Sequence, residues 1–150
     1  MTTVKTKTSV DIKRSPADVA AFLADTRNTT KWQQASGLVE ISADPAGSLK
    51  MGTRLTEKRK MMGKVKTYVG EVVAFEANKT WTIRDAVNKP PKFQGVFTLA
   101  AESGGTRYTF NFNMRVPFFV KLIPCMASMM RKSMQKDANT LKALLEAQGK

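Results

Sequence analysis

The stretch PFFVKLIPCMASMMRKSMQKDANTLKALLEA, residues 117–147, decides the fold. Placed at about 100° per residue, Phe119, Leu122, Ile123, Met126, Met130, Met134, Ala138, Leu141, Leu144 and Leu145 form one apolar stripe. Lys121, Ser128, Arg131, Lys132, Gln135, Asn139, Lys142 and Glu146 hold the other side. The pattern predicts one amphipathic helix from Pro117 to about Ala147. A stripe this long needs a long partner surface, and the middle of the chain supplies one as a run of strands. The expected architecture is α+β, a curved antiparallel sheet wrapped around the terminal helix, which tends to enclose a cavity.

Upstream of that helix the hydrophobic period falls to two. Strands are expected near Leu38–Ala43, Thr53–Met61, Lys64–Glu76, Thr80–Val87, Phe93–Ala101 and Thr106–Val116. Turn signals separate them at Asp44-Pro45-Ala46-Gly47, Met62-Gly63, Ala77-Asn78-Lys79, Lys89-Pro90-Pro91 and Ser103-Gly104-Gly105, and such short links imply antiparallel neighbours. Thr3–Lys13 alternates in the same way and makes a seventh strand. Ser15 then reads as an N-cap with Pro16 at the first helical position and Asp18 behind it, opening a short helix through Val19, Phe22 and Leu23. Asp25 to Trp32 gives a second helical turn. The chain is expected to form one domain over residues 1–150.

Strand parity predicts the inward side chains. Leu55, Glu57 and Arg59 share one face, and Val65, Thr67, Val69, Glu71, Val73 and Phe75 form a second set. Trp81, Ile83 and Asp85, then Phe93, Gly95, Phe97 and Leu99, then Tyr108, Phe110, Phe112 and Met114 complete the wall. Glu57, Arg59, Glu71, Asp85 and Tyr108 therefore stand on otherwise apolar faces, where an unpaired charge is costly.

Composition removes several chemistries. The chain has no histidine and a single cysteine, Cys125. Ordinary zinc, copper and haem sites, serine triads and Cys-His pairs are therefore not expected, and neither is a cofactor. Cys125 follows Pro124 in an apolar stretch and reads as an inert buried thiol; a lone cysteine allows no internal disulfide. The N-terminus lacks a secretory apolar run and no segment approaches a membrane span, so a cytoplasmic protein is expected. Against 12 acidic residues stand 25 basic ones, for a net charge of +13. That field attracts anions of many kinds, but the basic residues are dispersed and no nucleic-acid-binding signature accompanies them, so solubilising charge is favoured over a nucleic-acid partner.

The order and spacing of several short motifs resemble a known family. Ser15-Pro16-Ala17-Asp18-Val19, Phe22-Leu23-Ala24-Asp25 and Trp32, then Gly52-Thr53-Arg54, Gly70-Glu71-Val72 and Gly105-Thr106-Arg107, are similar to the polyketide cyclase/dehydrase and lipid-transport family of the START/Bet v 1-like superfamily (SRPBCC). The resemblance covers essentially the whole chain. It implies a helix-grip fold with a deep, largely apolar cavity between sheet and terminal helix, used by members to carry lipids, sterols or hormones or to cyclise polyketides. It brings no universal catalytic motif.

The candidate ligand-binding residues are Trp32, Glu57, Arg59, Glu71, Asp85, Tyr108, Phe110, Phe112, Met126 and Met130. Arg59 suits a ligand carboxylate or enolate with Glu57 orienting it or acting as a base, while a plain cross-strand ion pair is the favoured alternative. Tyr108 can donate to a ligand oxygen or simply reach solvent. Trp32 is either a lid at the cavity opening or core packing. Ser133 and Asp137 interrupt the helix stripe: Asp137 either pairs with a basic residue of the first strand, the favoured reading, or lines a polar end of the pocket. The methionines Met114, Met126, Met129, Met130 and Met134 suit an adaptable wall as well as they suit ordinary core packing. Pro117-Phe118-Phe119-Val120 with Lys121, Arg131 and Lys132 either docks at an acidic membrane surface or seals the cavity, the latter being favoured. The leading expectation is a binder or carrier of a lipophilic small molecule. The alternative is a cyclase/dehydrase-like enzyme with Glu57, Asp85 or Glu71 as base and Arg59 or Tyr108 stabilising an enolate.

Overall fold

The computed structural model describes residues 2–87, 91–116 and 126–149. Its elements run β1 Thr2–Ile12, α1 Pro16–Ala24, a 3-10 turn Thr26–Asn28, α2 Thr29–Trp32, β2 Leu38–Asp44, β3 Arg54–Met61, β4 Lys64–Glu76, β5 Thr80–Asp85, β6 Lys92–Glu102, β7 Gly105–Val116 and α3 Met126–Gln148. The strands form one antiparallel sheet in the order β1-β7-β6-β5-β4-β3-β2. This is the helix-grip α+β fold. The expected early part of the terminal helix, Pro117 to Cys125, lies outside the described residues, as does the turn at Lys89-Pro90.

Local chemistry explains the element ends. Ser15 Oγ accepts from the Asp18 amide at 3.2 Å, with Pro16 in the first helical turn, so α1 starts where its cap is. Asp25 Oδ1 accepts from the Arg27 amide and opens the 3-10 turn. In the β3–β4 hairpin Met62 and Gly63 both adopt positive φ, the geometry that a two-residue turn needs.

The core lies between the sheet and the helices. Ile12, Val19, Phe22, Leu23, Leu55, Val72, Trp81, Leu99, Leu141 and Leu145 are buried in one cluster that α3 and α1 close from one side. Ala138, Leu141 and Leu145 on α3 are at most 1% exposed, so the C-terminal half of the stripe is conventional core. Lys142 Nζ donates to the Asp11 carbonyl at 2.6 Å and to Glu146, which in turn accepts from the Lys13 amide. Arg14 donates to the Leu145 carbonyl at 2.7 Å, so the end of α3 is tied to the end of β1.

The inward face of β4 differs from the sequence expectation. Register pairs Glu57 with Tyr68 and Leu55 with Gly70, and directly opposed residues share a face. Tyr68, Gly70 and Val72 therefore point inward, while Val65, Thr67, Val69, Glu71 and Val73 are on the other side; Val65 is 57% exposed and Val72 fully buried. A bulge between Val72 and Ala74 then resets the parity, and Phe75 returns opposite Trp81, with ring centroids 6.4 Å apart. The apolar alternation misleads because the inner position at Gly70 carries no side chain. Its space is taken by Ile83, whose Cγ2 would stand 2.8 Å from an added Cβ, with Phe93 close by.

Candidate functional site

A cavity of about 300 Å³ lies between the sheet and the N-terminal half of α3. Its floor is aromatic. Phe97 and Phe110 stack with centroids 4.4 Å apart, Phe110 continues to Phe112 at 5.8 Å, and Phe93 and Tyr68 extend the row toward β4. Gly95 permits this, since a Cβ there would come within 2.7 Å of the Phe110 ring. Opposite stand Met126, Met129, Met130 and Met134 of α3, with Met61 and Met62 of the β3–β4 hairpin at the rim. Met62 and Met129 are also among the most exposed large apolar side chains, which puts the rim in contact with water.

Polar groups gather at one end, where the loop after α2 meets β3 and α3. Gly37 makes this junction possible: its φ is +91°, and any side chain would strike the Lys60 carbonyl oxygen. Its own carbonyl accepts from the Lys60 amide at 2.8 Å, pinning the loop to β3. The loop then presents Gln33 and Ser36 to Arg59. Arg59 Nε donates to Glu57 at 3.0 Å, one terminal nitrogen donates to Ser36 Oγ at 2.9 Å, and the other to Gln33 Oε1. Four of the five Arg59 N–H donors are thus taken up by the protein itself.

Asp137 reaches the same junction from α3 and accepts from the Ser36 amide at 3.3 Å. The residue is 4% exposed. Loss of water pushes its carboxyl above the ordinary value, an effect that the Ser36 hydrogen bonds and the Arg59 charge only partly oppose. Tyr108 stands beside it, 1% exposed, with the Trp32 ring edge-on at 6.2 Å. Burial, with the Asp137 carboxylate adding to it, drives the Tyr108 hydroxyl well above the ordinary tyrosine range, so it stays protonated and can donate. Among the described residues that hydroxyl has no hydrogen-bond partner.

Of the residues singled out from sequence, Trp32, Glu57, Arg59, Tyr108, Phe110, Phe112, Met126 and Met130 are brought together on the cavity wall. Glu71 and Asp85 are not. Glu71 lies on the outer face, 3.5 Å from Arg54, because of the β4 register. Asp85 has inward parity but sits at the end of β5, where it pairs with Lys92 at 3.2 Å and accepts from the Phe93 amide at 3.0 Å. Asp137 does not pair with β1; its partner is the Ser36 loop. Sequence reasoning misses Gln33, Ser36 and Tyr68, of which only Tyr68 can be recovered, by setting the parity of β4 against Glu57. The segment Pro117–Val120, expected either to seal the cavity or to dock at an acidic membrane surface, and the thiol of Cys125 lie outside the described residues. Among the described residues, no three His, Cys, Asp or Glu side chains gather as a metal site would require.

Comparison with known proteins identifies the family and the fold. A family model described as polyketide cyclase / dehydrase and lipid transport matches residues 3–146. A Staphylococcus aureus protein of unknown function superposes with a TM-score of 0.77 at 14% identity, covering 99% of this chain and 96% of its own. A Thermus thermophilus protein gives 0.80 at 14% identity, covering 97% and 99%. The di-domain ARO/CYC StfQ from the steffimycin biosynthetic pathway gives 0.70 at 9% identity, over 98% of this chain and 52% of StfQ. At these identities the solved structures establish the shared fold. No match was found among curated proteins.

Proposed function

The chain belongs to the polyketide cyclase / dehydrase and lipid transport family, and we propose that it binds or carries a lipophilic small molecule between the sheet and α3. The family and fold support a ligand-binding or polyketide cyclase-like role. One observation carries the choice of binding: the cavity is walled by aromatic and methionine side chains along its length and polar only at one end, the pattern of a pocket that holds apolar ligands and orients them. Its volume of about 300 Å³ stands at the lower end of the range in which small molecules are enclosed.

The enzymatic alternative has less support. Glu57 is bonded to Arg59, Glu71 faces outward and Asp85 pairs with Lys92, so none of these three carboxylates stands free in the cavity. Native mass spectrometry of the purified protein together with Nile red fluorescence tests the binding reading. A co-purifying lipophile, or saturable Nile red binding displaced by alkyl amphiphiles, is the expected result. Absence of both sinks the reading.

A further inference from the structure

From the polar end of the cavity we infer that the ligand is a neutral amphiphile whose head carries a hydroxyl, held between the Asp137 carboxylate as acceptor and the Tyr108 hydroxyl as donor. This rests on the cavity being the binding site. The choice of head group follows from which polar atoms remain available. In a basic protein Arg59 would ordinarily be the anchor for an anionic head. Here Glu57, Ser36 and Gln33 already occupy four of its five N–H donors, and the Glu57 carboxylate offsets its charge.

An entering carboxylate would meet two carboxylates, Glu57 and Asp137, and find the guanidinium with one N–H left and its charge already offset, at a buried place where an unmatched anion is costly. A hydroxyl head meets the opposite situation. It donates to Asp137 and accepts from Tyr108, whose hydroxyl is otherwise without a partner among the described residues. Trp32, edge-on to the Tyr108 ring, and Ser36, bonded to Asp137, fix both side chains before a ligand arrives.

The test displaces Nile red with three chains of equal tail length at neutral pH: 1-decanol, 1-methoxydecane and decanoate. The parent protein should bind decanol about tenfold more tightly than the methyl ether, the discrimination expected when a buried acceptor loses its donor. Decanoate should bind weakest. Asp137→Asn, which keeps an acceptor oxygen for Ser36 but removes the charge, should strengthen decanoate and narrow the preference for decanol over the ether. Tyr108→Phe should weaken decanol and the methyl ether alike, since the oxygen of each accepts from its hydroxyl. Decanoate binding as tightly as decanol, or a decanol preference untouched by both variants, overturns the inference while the cavity stands as a binding site. Failure of Nile red and of all three chains to bind removes the binding reading itself, and the inference with it.

Discussion

Burial raises the Asp137 carboxyl above its ordinary value of 3.8, and that fixes the sign of its effect on stability. Over the range from 3.8 up to the folded-state value, the folded chain holds a proton that the unfolded chain has lost. Stability therefore declines as pH rises above 3.8 through that range. Asp137→Asn should consequently melt at a higher temperature than the parent at neutral pH, the gap closing as pH is lowered toward 3.8; thermal melts across a pH series check this. A parent that is the more stable at neutral pH would show that the Ser36 and Ala35 hydrogen bonds and the Arg59 charge outweigh the loss of water around the ionised carboxylate. Arg59→Met leaves Glu57 half-buried without its cation, and urea unfolding should show a loss of about 2 kcal/mol, discounted from fully buried pairs because both partners keep some exposure.

At the scale of elements, β4 separates what alternation tells from what register tells. Val65, Val69 and Val73 mark one face as apolar, yet the inward residues are Tyr68, Gly70 and Val72. Paired substitutions expose the difference. Val72→Thr puts a hydroxyl into a fully buried site and should cost about 1–3 kcal/mol in denaturant unfolding. Val65→Thr, on an exposed site, should stay within about 0.5 kcal/mol. Equal losses would put both on one face.

Strand and helix identities are readable because Ser15-Pro16, Met62-Gly63 and the terminal stripe each state a local rule. The β4 face is not, since a glycine whose volume is filled by Ile83 and Phe93 looks like an absent core residue. The floor of the site is readable for the same reason as the strands: Phe110 and Phe112 alternate cleanly. Its polar end is not, because Asp137, Ser36 and Arg59 meet only across 101 and 23 residues of chain.

For the whole molecule, a cavity ligand that binds only the folded chain must stabilise it by mass action. At a hundredfold excess over its Kd, 1-decanol should add about 2.7 kcal/mol and raise the Tm by several degrees, read by scanning fluorimetry against 1-decanol-free protein. The net charge of +13 acts over a longer range. It predicts association with phosphatidylglycerol vesicles in dilute buffer that fades as sodium chloride rises past the point where the screening length falls below about 10 Å. Flotation across a salt series measures it, and binding indifferent to salt would assign the contact to apolar groups instead.

The pairing of β1 with β7 gives the chain a particular order of assembly. Strands β2 to β7 each meet a neighbour soon after they are made, but β1 finds its sheet partner only in residues 106–116, and its remaining cover is α3. On the ribosome the first strand must therefore wait, edge unsatisfied, until nearly the whole chain has emerged. The lysines Lys5 and Lys7, on its exposed face, stand guard over that interval, since charge on an unpaired edge discourages it from joining another nascent chain.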